Sequence, residues 1–126
     1  MVMTKPLALV LYENLLPGSQ LVNRLHDLGY RVLTLADSAT LVEQAQQTKP
    51  LVVIVDLVAR AKDVCAAILA LKQNTATAHV PVLAFASRKN AKLQAAAQSA
   101  GATLVASDTA ILHQLPQMLD QVLMVE

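Results

Sequence analysis

The chain has 126 residues, of which 55% are hydrophobic, 15% charged and 2% aromatic, and its formal net charge is +1 at pH 7. This length suits one buried core, so we expect residues 1–126 to form a single domain. The near-neutral charge and the scarcity of aromatic rings argue against a nucleic-acid partner. No apolar stretch reaches the roughly 18 residues that a membrane span needs. We therefore expect no membrane association, and, without a visible signal peptide, a cytoplasmic location.

Cysteine and histidine give no sign of redox or metal chemistry. Cys65 is the only cysteine and has apolar neighbours, which favours a buried small side chain over a reactive thiol. The three histidines, His26, His79 and His113, belong to different predicted elements and have no second ligand at metal-binding spacing. A zinc site is therefore not expected.

Short apolar runs alternate with helical patterns along the chain. The predicted strands are Leu7–Tyr12, Arg31–Leu35, Leu51–Leu57, Val80–Ala86 and Thr103–Ala106. The predicted helices are Ser19–Leu28, Thr40–Thr48, Ala61–Gln73, Asn90–Ala100 and Ile111–Val125. The third run, LVVIVDL, is typical of a central parallel strand that is covered on both faces. The alternation predicts an α/β fold, a flavodoxin-like three-layer α/β/α sandwich with a five-stranded parallel sheet in the order 2-1-3-4-5.

Several residues are expected to mark where helices begin or end. Gly29 and Gly101 follow helical patterns and are natural stops. For the second helix, either Thr40 with Glu43 forms a capping box or Ser38 is the cap.

The fourth and fifth helices have competing cap candidates. Ser87 or Asn90 is expected to cap the fourth helix, and Asp108, with Ser107 as a competitor, the fifth. Pro116 requires the last helix either to begin near it or to bend there. The apolar face of that helix is expected to be core, and any surplus could pair two chains; it comprises Ile111, Leu115, Leu119, Val122 and Leu123.

In such sheets ligands bind beyond the carboxyl ends of the strands, and the sequence there resembles a known family. The segments KPLVVIVDL, LHDLGYRVLTLADS, LKQNTATAHVPVLAFAS and AAAQSAGATLVAS resemble, in order and spacing, the receiver domain of response regulators. The resemblance implies a CheY-like fold and assigns Asp56 as the phosphoacceptor. Tyr12 and Glu13 stand where the family has an acidic pair. Glu13, Asp56 and the backbone carbonyl of Val58 would then be the ligands of a weakly bound Mg²⁺.

Other positions depart from the family pattern and indicate a degenerate, pseudo-receiver form. Ala86 stands where the family has the switch hydroxyl, and Ser87 could replace it only if the strand end shifts by one residue. Val105 replaces the aromatic switch residue. Asp108 stands where the family has a lysine and reverses the local charge, so a phosphoryl group would be repelled.

These departures leave three hypotheses of function. The first is a stand-alone, non-enzymatic receiver-like domain of two-component, or phosphorelay, signal transduction that binds a histidine kinase, an output protein or a second copy of itself. The second is an atypical response regulator that is phosphorylated on Asp56 with Mg²⁺, in which Arg60, Lys62 or Arg88 compensates for Asp108. The third is a small flavodoxin-like enzyme or ligand-binding domain, because this fold supports many chemistries. The third ranks lowest, since the segment Leu15–Gly18 is a poor phosphate loop.

Overall fold

The computed structural model describes residues 6–12, 15–35, 40–57, 61–86 and 90–124, without the side chains of 15–18, 61–63, 108 and 124. The strands are β1 (Leu7–Leu11), β2 (Arg31–Leu35), β3 (Val52–Asp56), β4 (Val82–Ala86) and β5 (Leu104–Ser107). The helices are α1 (Leu15–Asp27), α2 (Leu41–Thr48), α3 (Ala61–Gln73), α4 (Ala91–Ala100), α5 (Asp108–His113) and α6 (Leu115–Met124).

All five strands are parallel and lie in the order β2-β1-β3-β4-β5. The flavodoxin-like order predicted from the sequence is therefore confirmed. The two central strands β3 and β4 are buried along their whole length, whereas Arg31 and Thr34 of the edge strand β2 are exposed. This contrast explains why the central strands read as continuous apolar runs.

The sheet separates two cores, because successive side chains of a strand point to opposite faces. On one face, α2, α3 and α4 pack residues such as Leu41, Val64 and Ala97 against the sheet. On the other face, α1, α5 and α6 contribute residues such as Leu21 and Ile111. The sheet is thus covered by helices on both faces.

Two helices end where the sequence predicts. Gly29 and Gly101 have φ values of 90° and 112°, a left-handed region that favours glycine. Lys49 takes the same role after α2 with φ 48°, and its N–H donates to the Ala45 carbonyl at 3.0 Å. Pro50 follows at once and cannot extend the helix in the usual way.

The predicted side-chain caps Thr40 of α2 and Asn90 of α4 were wrong. Thr40 precedes α2 with a helical backbone (φ −94°, ψ −2°) and makes no side-chain capping hydrogen bond, so the capping box with Glu43 does not form. Asn90 precedes α4 with φ −103° and ψ 47°, again without a side-chain cap. A capping side chain normally needs an extended backbone, which neither residue has. The alternatives Ser38 and Ser87 lie outside the described residues.

At α5 the cap is Ser107, so the preference for Asp108 was wrong. Ser107 has an extended backbone (φ −78°, ψ 159°), and its Oγ accepts a hydrogen bond from the Ala110 N–H at 3.1 Å. Asp108 is instead the first residue of the helix.

The single last helix predicted from the sequence is two helices. They are separated at Gln114, whose N–H still donates to the Ala110 carbonyl at 2.8 Å. Pro116 is the second residue of α6, in a first turn that does not need its missing N–H. The expected apolar face is confirmed as core: Ile111, Leu115, Leu119 and Val122 are buried and Leu123 is partly buried.

Cys65 lies in α3, where it is partly buried against the core, and burial raises the pKa of its thiol above the usual 9.0. In the described ranges, no helix is both long and apolar enough to cross a membrane.

Candidate functional site

Asp56 lies at the centre of the carboxyl edge of the sheet. It is the last residue of β3, which is flanked by β1 on one side and β4 on the other. The register pairs Val55 with Leu11 and Asp56 with Phe85, so three strands end side by side at this point. This is where ligands bind in parallel sheets of this type.

The Asp56 side chain is 2% exposed, although carboxylates are rarely so deeply buried. Its Oδ2 atom is buried and accepts no hydrogen bond from the described part of the chain. The loops that follow β1, β3 and β4, residues 13–14, 58–60 and 87–89, lie outside that part. Placing a carboxylate in such surroundings costs free energy. Its deep burial at the carboxyl edge of the sheet makes Asp56 the leading candidate for chemistry.

The predicted metal ligands are only partly covered by the structure. Tyr12 is half-buried against the core, and its N–H donates to the Leu35 carbonyl at 3.0 Å. Glu13 and Val58 lie outside the described residues. Within the described ranges, no group of three or more His, Cys, Asp or Glu side chains could hold a metal ion. A buried carboxylate is nevertheless the ligand type that Mg²⁺ prefers, so Asp56 itself fits the predicted role.

The two predicted switch positions lie on the same face of the sheet. Ala86 is the last residue of β4 and is 1% exposed, and Val105 of β5 packs against the same core. The register joins the two strands through the pairs Ala84–Val105 and Ala86–Ser107. Strand β4 is described as far as Ala86. Ser87, the alternative switch position, lies outside the described residues. Both positions are therefore aliphatic, with Ala86 buried and Val105 partly buried.

Residue 108 also lies at the carboxyl edge. Asp108 directly follows β5 and begins α5, but its side chain is outside the described residues. The same holds for the three cations considered as compensation, since Arg60, Arg88 and the side chain of Lys62 are not described.

One contact at this edge was not predicted from the sequence. The Gln94 Nε2 atom of α4 donates a part-buried hydrogen bond to the Ala86 carbonyl at 3.0 Å. Leu93, Ala97 and Ala100 mark the inward side of α4, and Gln94 lies at its margin. In the sequence, the only sign of this contact is a polar residue next to the apolar side of the helix. That pattern does not identify the Ala86 carbonyl as the partner of Gln94.

A separate groove of about 500 Å³ lies between α1 and α5. Its lining residues are Gln20, Asn23, Arg24, Asp27, Leu112 and His113. None of the predicted site residues contributes to it. The groove is therefore distinct from the Asp56 site.

No family model and no curated protein matches the chain. Among solved structures, the chain is similar to the receiver domain of the sensor histidine kinase PA1611 from Pseudomonas aeruginosa PAO1, with a TM-score of 0.85, 18% identity and coverage of 95% of this chain and 98% of that chain. That domain holds a magnesium ion in its active site cleft.

Two further similar structures come from other bacteria. The NtrX receiver domain from Brucella abortus gives a TM-score of 0.82 at 17% identity, covering 94% of this chain and 99% of that chain. The chemotaxis response regulator CheY4 of Vibrio cholerae gives 0.81 at 20% identity, with the same coverage of 94% and 99%. The chain therefore has the fold of response regulator receiver domains, as its sequence resemblance predicted.

Proposed function

We propose that this chain is a receiver-like domain of two-component signalling that acts by binding a protein partner, with little or no switching by phosphorylation. The observation that carries the proposal is Ala86, which is buried at the end of β4 where the resemblance calls for a hydroxyl. A methyl group cannot form a hydrogen bond to a phosphoryl oxygen. A phosphoryl group on Asp56 would therefore lack its usual contact to β4.

The position that would respond to that contact is also aliphatic. Val105 packs against the same core as Ala86 and has no ring that could move between two positions. A modification becomes a switch only when it biases an element with two states. The two aliphatic side chains support a domain whose surface does not depend on the state of Asp56.

Residue 108 is expected to weaken the phosphorylation step itself. Transfer of a phosphoryl group to a carboxylate relies on cations that neutralise the developing charge. Asp108 brings an anion to the edge where the resemblance calls for a lysine. At a few ångströms in a partly solvated cleft, one such interaction is worth on the order of 4 kcal/mol.

The partner is inferred to be a protein of the same signalling class, a histidine kinase or an output protein, or a second copy of the chain. The likeness to receiver domains supports this inference, because those neighbours include part of a sensor histidine kinase and a chemotaxis response regulator. On this proposal the domain is not an enzyme.

The alternative is a working phosphoacceptor, and the burial of Asp56 at the centre of the carboxyl edge favours it. In that case Glu13, Asp56 and the Val58 carbonyl would hold Mg²⁺, which would neutralise part of the phosphoryl charge. The magnesium ion in the PA1611 receiver domain shows that a domain of this fold can hold the ion.

Intact-protein mass spectrometry after incubation with Mg²⁺ and acetyl phosphate separates the two candidates. The natural chain is compared with Asp56→Asn and with Asp27→Asn, which alters an exposed aspartate of α1. We expect no phosphoryl-sized mass gain in any of them, while an active receiver domain treated in parallel gains mass. A gain in the natural chain and in Asp27→Asn, but not in Asp56→Asn, would reject the proposal in favour of the alternative.

A third variant, Asp108→Lys, tests the reason for the expected inactivity. If charge at this position limits the transfer, the variant gains phosphoryl mass where the natural chain does not. If the variant stays unmodified as well, the missing hydroxyl or another group is the limiting defect.

A further inference from the structure

Lys72, near the end of α3, directs its amine into the turn that leads to β4. Its Nζ atom donates a part-buried hydrogen bond to the Val80 carbonyl at 2.8 Å. The same atom donates to the Ala78 carbonyl at 3.4 Å, and this longer bond is exposed to solvent. Two backbone acceptors therefore hold the amine in one place, and small molecules can reach it from the side of Ala78.

The stem of Lys72 is confined as well. Gly101 follows α4 beside it, and a Cβ atom at position 101 would lie 2.9 Å from Lys72 Cγ and 3.5 Å from Lys72 Cβ. Lys72 is half-buried, whereas Lys49 and Lys92 are exposed. A lysine stem in water samples many rotamers, and the packing and hydrogen bonds at Lys72 remove much of that freedom.

These surroundings alter the chemistry of the amine. Burial lowers the pKa of Lys72 below its ordinary value, because removal from water disfavours the charged form. Near pH 8, a larger fraction of this amine is therefore neutral than of a lysine in water. A neutral amine that donates its two N–H groups to the Ala78 and Val80 carbonyls keeps its lone pair for an electrophile. Desolvated amines of this kind are the lysines that act as nucleophiles in proteins.

We propose that Lys72 is a site of acylation by small acyl phosphates. The neutral Nζ atom attacks the carbonyl carbon of the acyl phosphate, a C–N bond forms, and the C–O bond to phosphate breaks. Phosphate leaves with the bonding electron pair, and the amine releases one proton to solvent. The donor must be small, because the amine lies in a part-buried position and is exposed beside the Ala78 carbonyl.

Acylation changes what holds the turn formed by residues 74–80. The amide product has lost the positive charge and keeps a single N–H donor, so at most one of the two carbonyls retains its hydrogen bond. The turn then opens more often. It lies at the amino end of β4, whereas Asp56 lies at the carboxyl end of β3, so the inference does not rest on the proposed function.

Peptide mapping by mass spectrometry tests the site on the full chain after incubation with acetyl phosphate. The exposed Lys49 and Lys92 are the internal references. At pH 8 and early times, Lys72 should gain acetyl groups roughly threefold faster than either reference. In guanidinium chloride, which unfolds the chain, the three lysines should react at similar rates, because the preference comes from the fold.

A second measurement tests the effect on the turn. Hydrogen exchange of residues 74–80 should accelerate roughly 3- to 10-fold once Lys72 is acetylated, since part-buried hydrogen bonding is lost. Lys72→Arg is the matched control, because it keeps the positive charge and the donors but is not acylated under these conditions. Treatment of this variant with acetyl phosphate should leave exchange of its turn unchanged.

Three results would overturn the inference. They are acetylation of Lys72 no faster than that of Lys49 and Lys92 in the folded chain, the same excess in the unfolded chain, and equal acceleration of exchange in the treated natural chain and treated Lys72→Arg. The test of the proposed function measures a phosphoryl-sized mass gain that depends on Asp56, whereas this one measures acetyl groups on lysine. Either inference can therefore fail without the other.

Discussion

Two polar side chains are buried in the described part of the molecule, and they lie at opposite ends of the sheet. Thr77 is fully buried near the amino end of β4, and Asp56 is 2% exposed at the carboxyl end of β3. The Thr77 hydroxyl donates to the Leu71 carbonyl at 2.7 Å, which satisfies both the hydroxyl and the end of α3. The Oδ2 atom of Asp56, in contrast, accepts no hydrogen bond from the described part of the chain. The comparison is therefore between a buried hydroxyl that is hydrogen-bonded and a buried carboxylate oxygen that is not.

The surroundings of Thr77 show what a structural polar cluster looks like here. Asn74 Oδ1 accepts from the Ala76 N–H at 2.9 Å, and Lys72 Nζ donates to the Val80 carbonyl at 2.8 Å. The Lys72 stem also lies against Gly101, where a Cβ atom would come within 2.9 Å of Lys72 Cγ. These bonds fix the path from α3 to β4. The Thr77 cluster is therefore expected to stabilise the fold, whereas Asp56 is the candidate functional residue of the proposal above.

The largest effect on stability is expected at Thr77. Thr77→Val keeps the shape of the side chain but leaves the Leu71 carbonyl buried without its donor, which should lower the free energy of unfolding by about 2 kcal/mol. Denaturant unfolding followed by circular dichroism measures it. Thr34→Val, the same substitution on the exposed side of β2, should change stability by less than about 0.5 kcal/mol. Equal effects of the two variants would contradict the structural role of Thr77.

A substitution at Asp56 should change the free energy of unfolding in the opposite direction. Asp56→Asn removes a charge from a buried position and should raise the free energy of unfolding at pH 7 by about 1 kcal/mol. The same denaturant titration measures it. A loss of stability in Asp56→Asn would show that the carboxylate holds the fold together and would remove the distinction from Thr77.

The smallest effect concerns the ionisation of Lys72. Burial lowers the pKa of this amine from its ordinary 10.5, so between the folded and unfolded pKa values the unfolded chain binds more protons. The contribution of Lys72 to stability should therefore rise as the pH increases towards 10.5. The unfolding free energy of the natural chain minus that of Lys72→Met should increase from pH 8 to pH 10. A difference that shrinks over this interval would show that the charged amine is the form that the fold prefers.

The sequence predicted most of the architecture. The apolar runs became the five strands within one or two residues at each end, and the parallel order followed from short right-handed crossovers. Gly29 and Gly101 ended helices because a left-handed residue after a helix favours glycine. These features are encoded within a few residues of one another, and local patterns are therefore sufficient to find them.

The candidate site was predicted less completely. The sequence resemblance singled out Asp56, Ala86 and Val105, and in the structure Asp56 ends β3, Ala86 ends β4 and Val105 lies within β5. Their roles stay predictions. The helix caps were harder. Thr40 and Asn90 are suitable residue types, but their backbone angles exclude the capping geometry. Residue type alone does not determine those angles.

The amino-acid sequence by itself determined the strands, the order of the sheet and the residue types at positions 86, 105 and 108, where the resemblance led us to expect a hydroxyl, a ring and a lysine. Only the tertiary structure decided that Ser107 rather than Asp108 caps α5, that Thr77 closes the end of α3, and that Gln94 is bound to the Ala86 carbonyl. Periodicity and residue type are properties of short segments. A side-chain hydrogen bond between two elements depends on where the packed core places both of them, and on their backbone angles at that point.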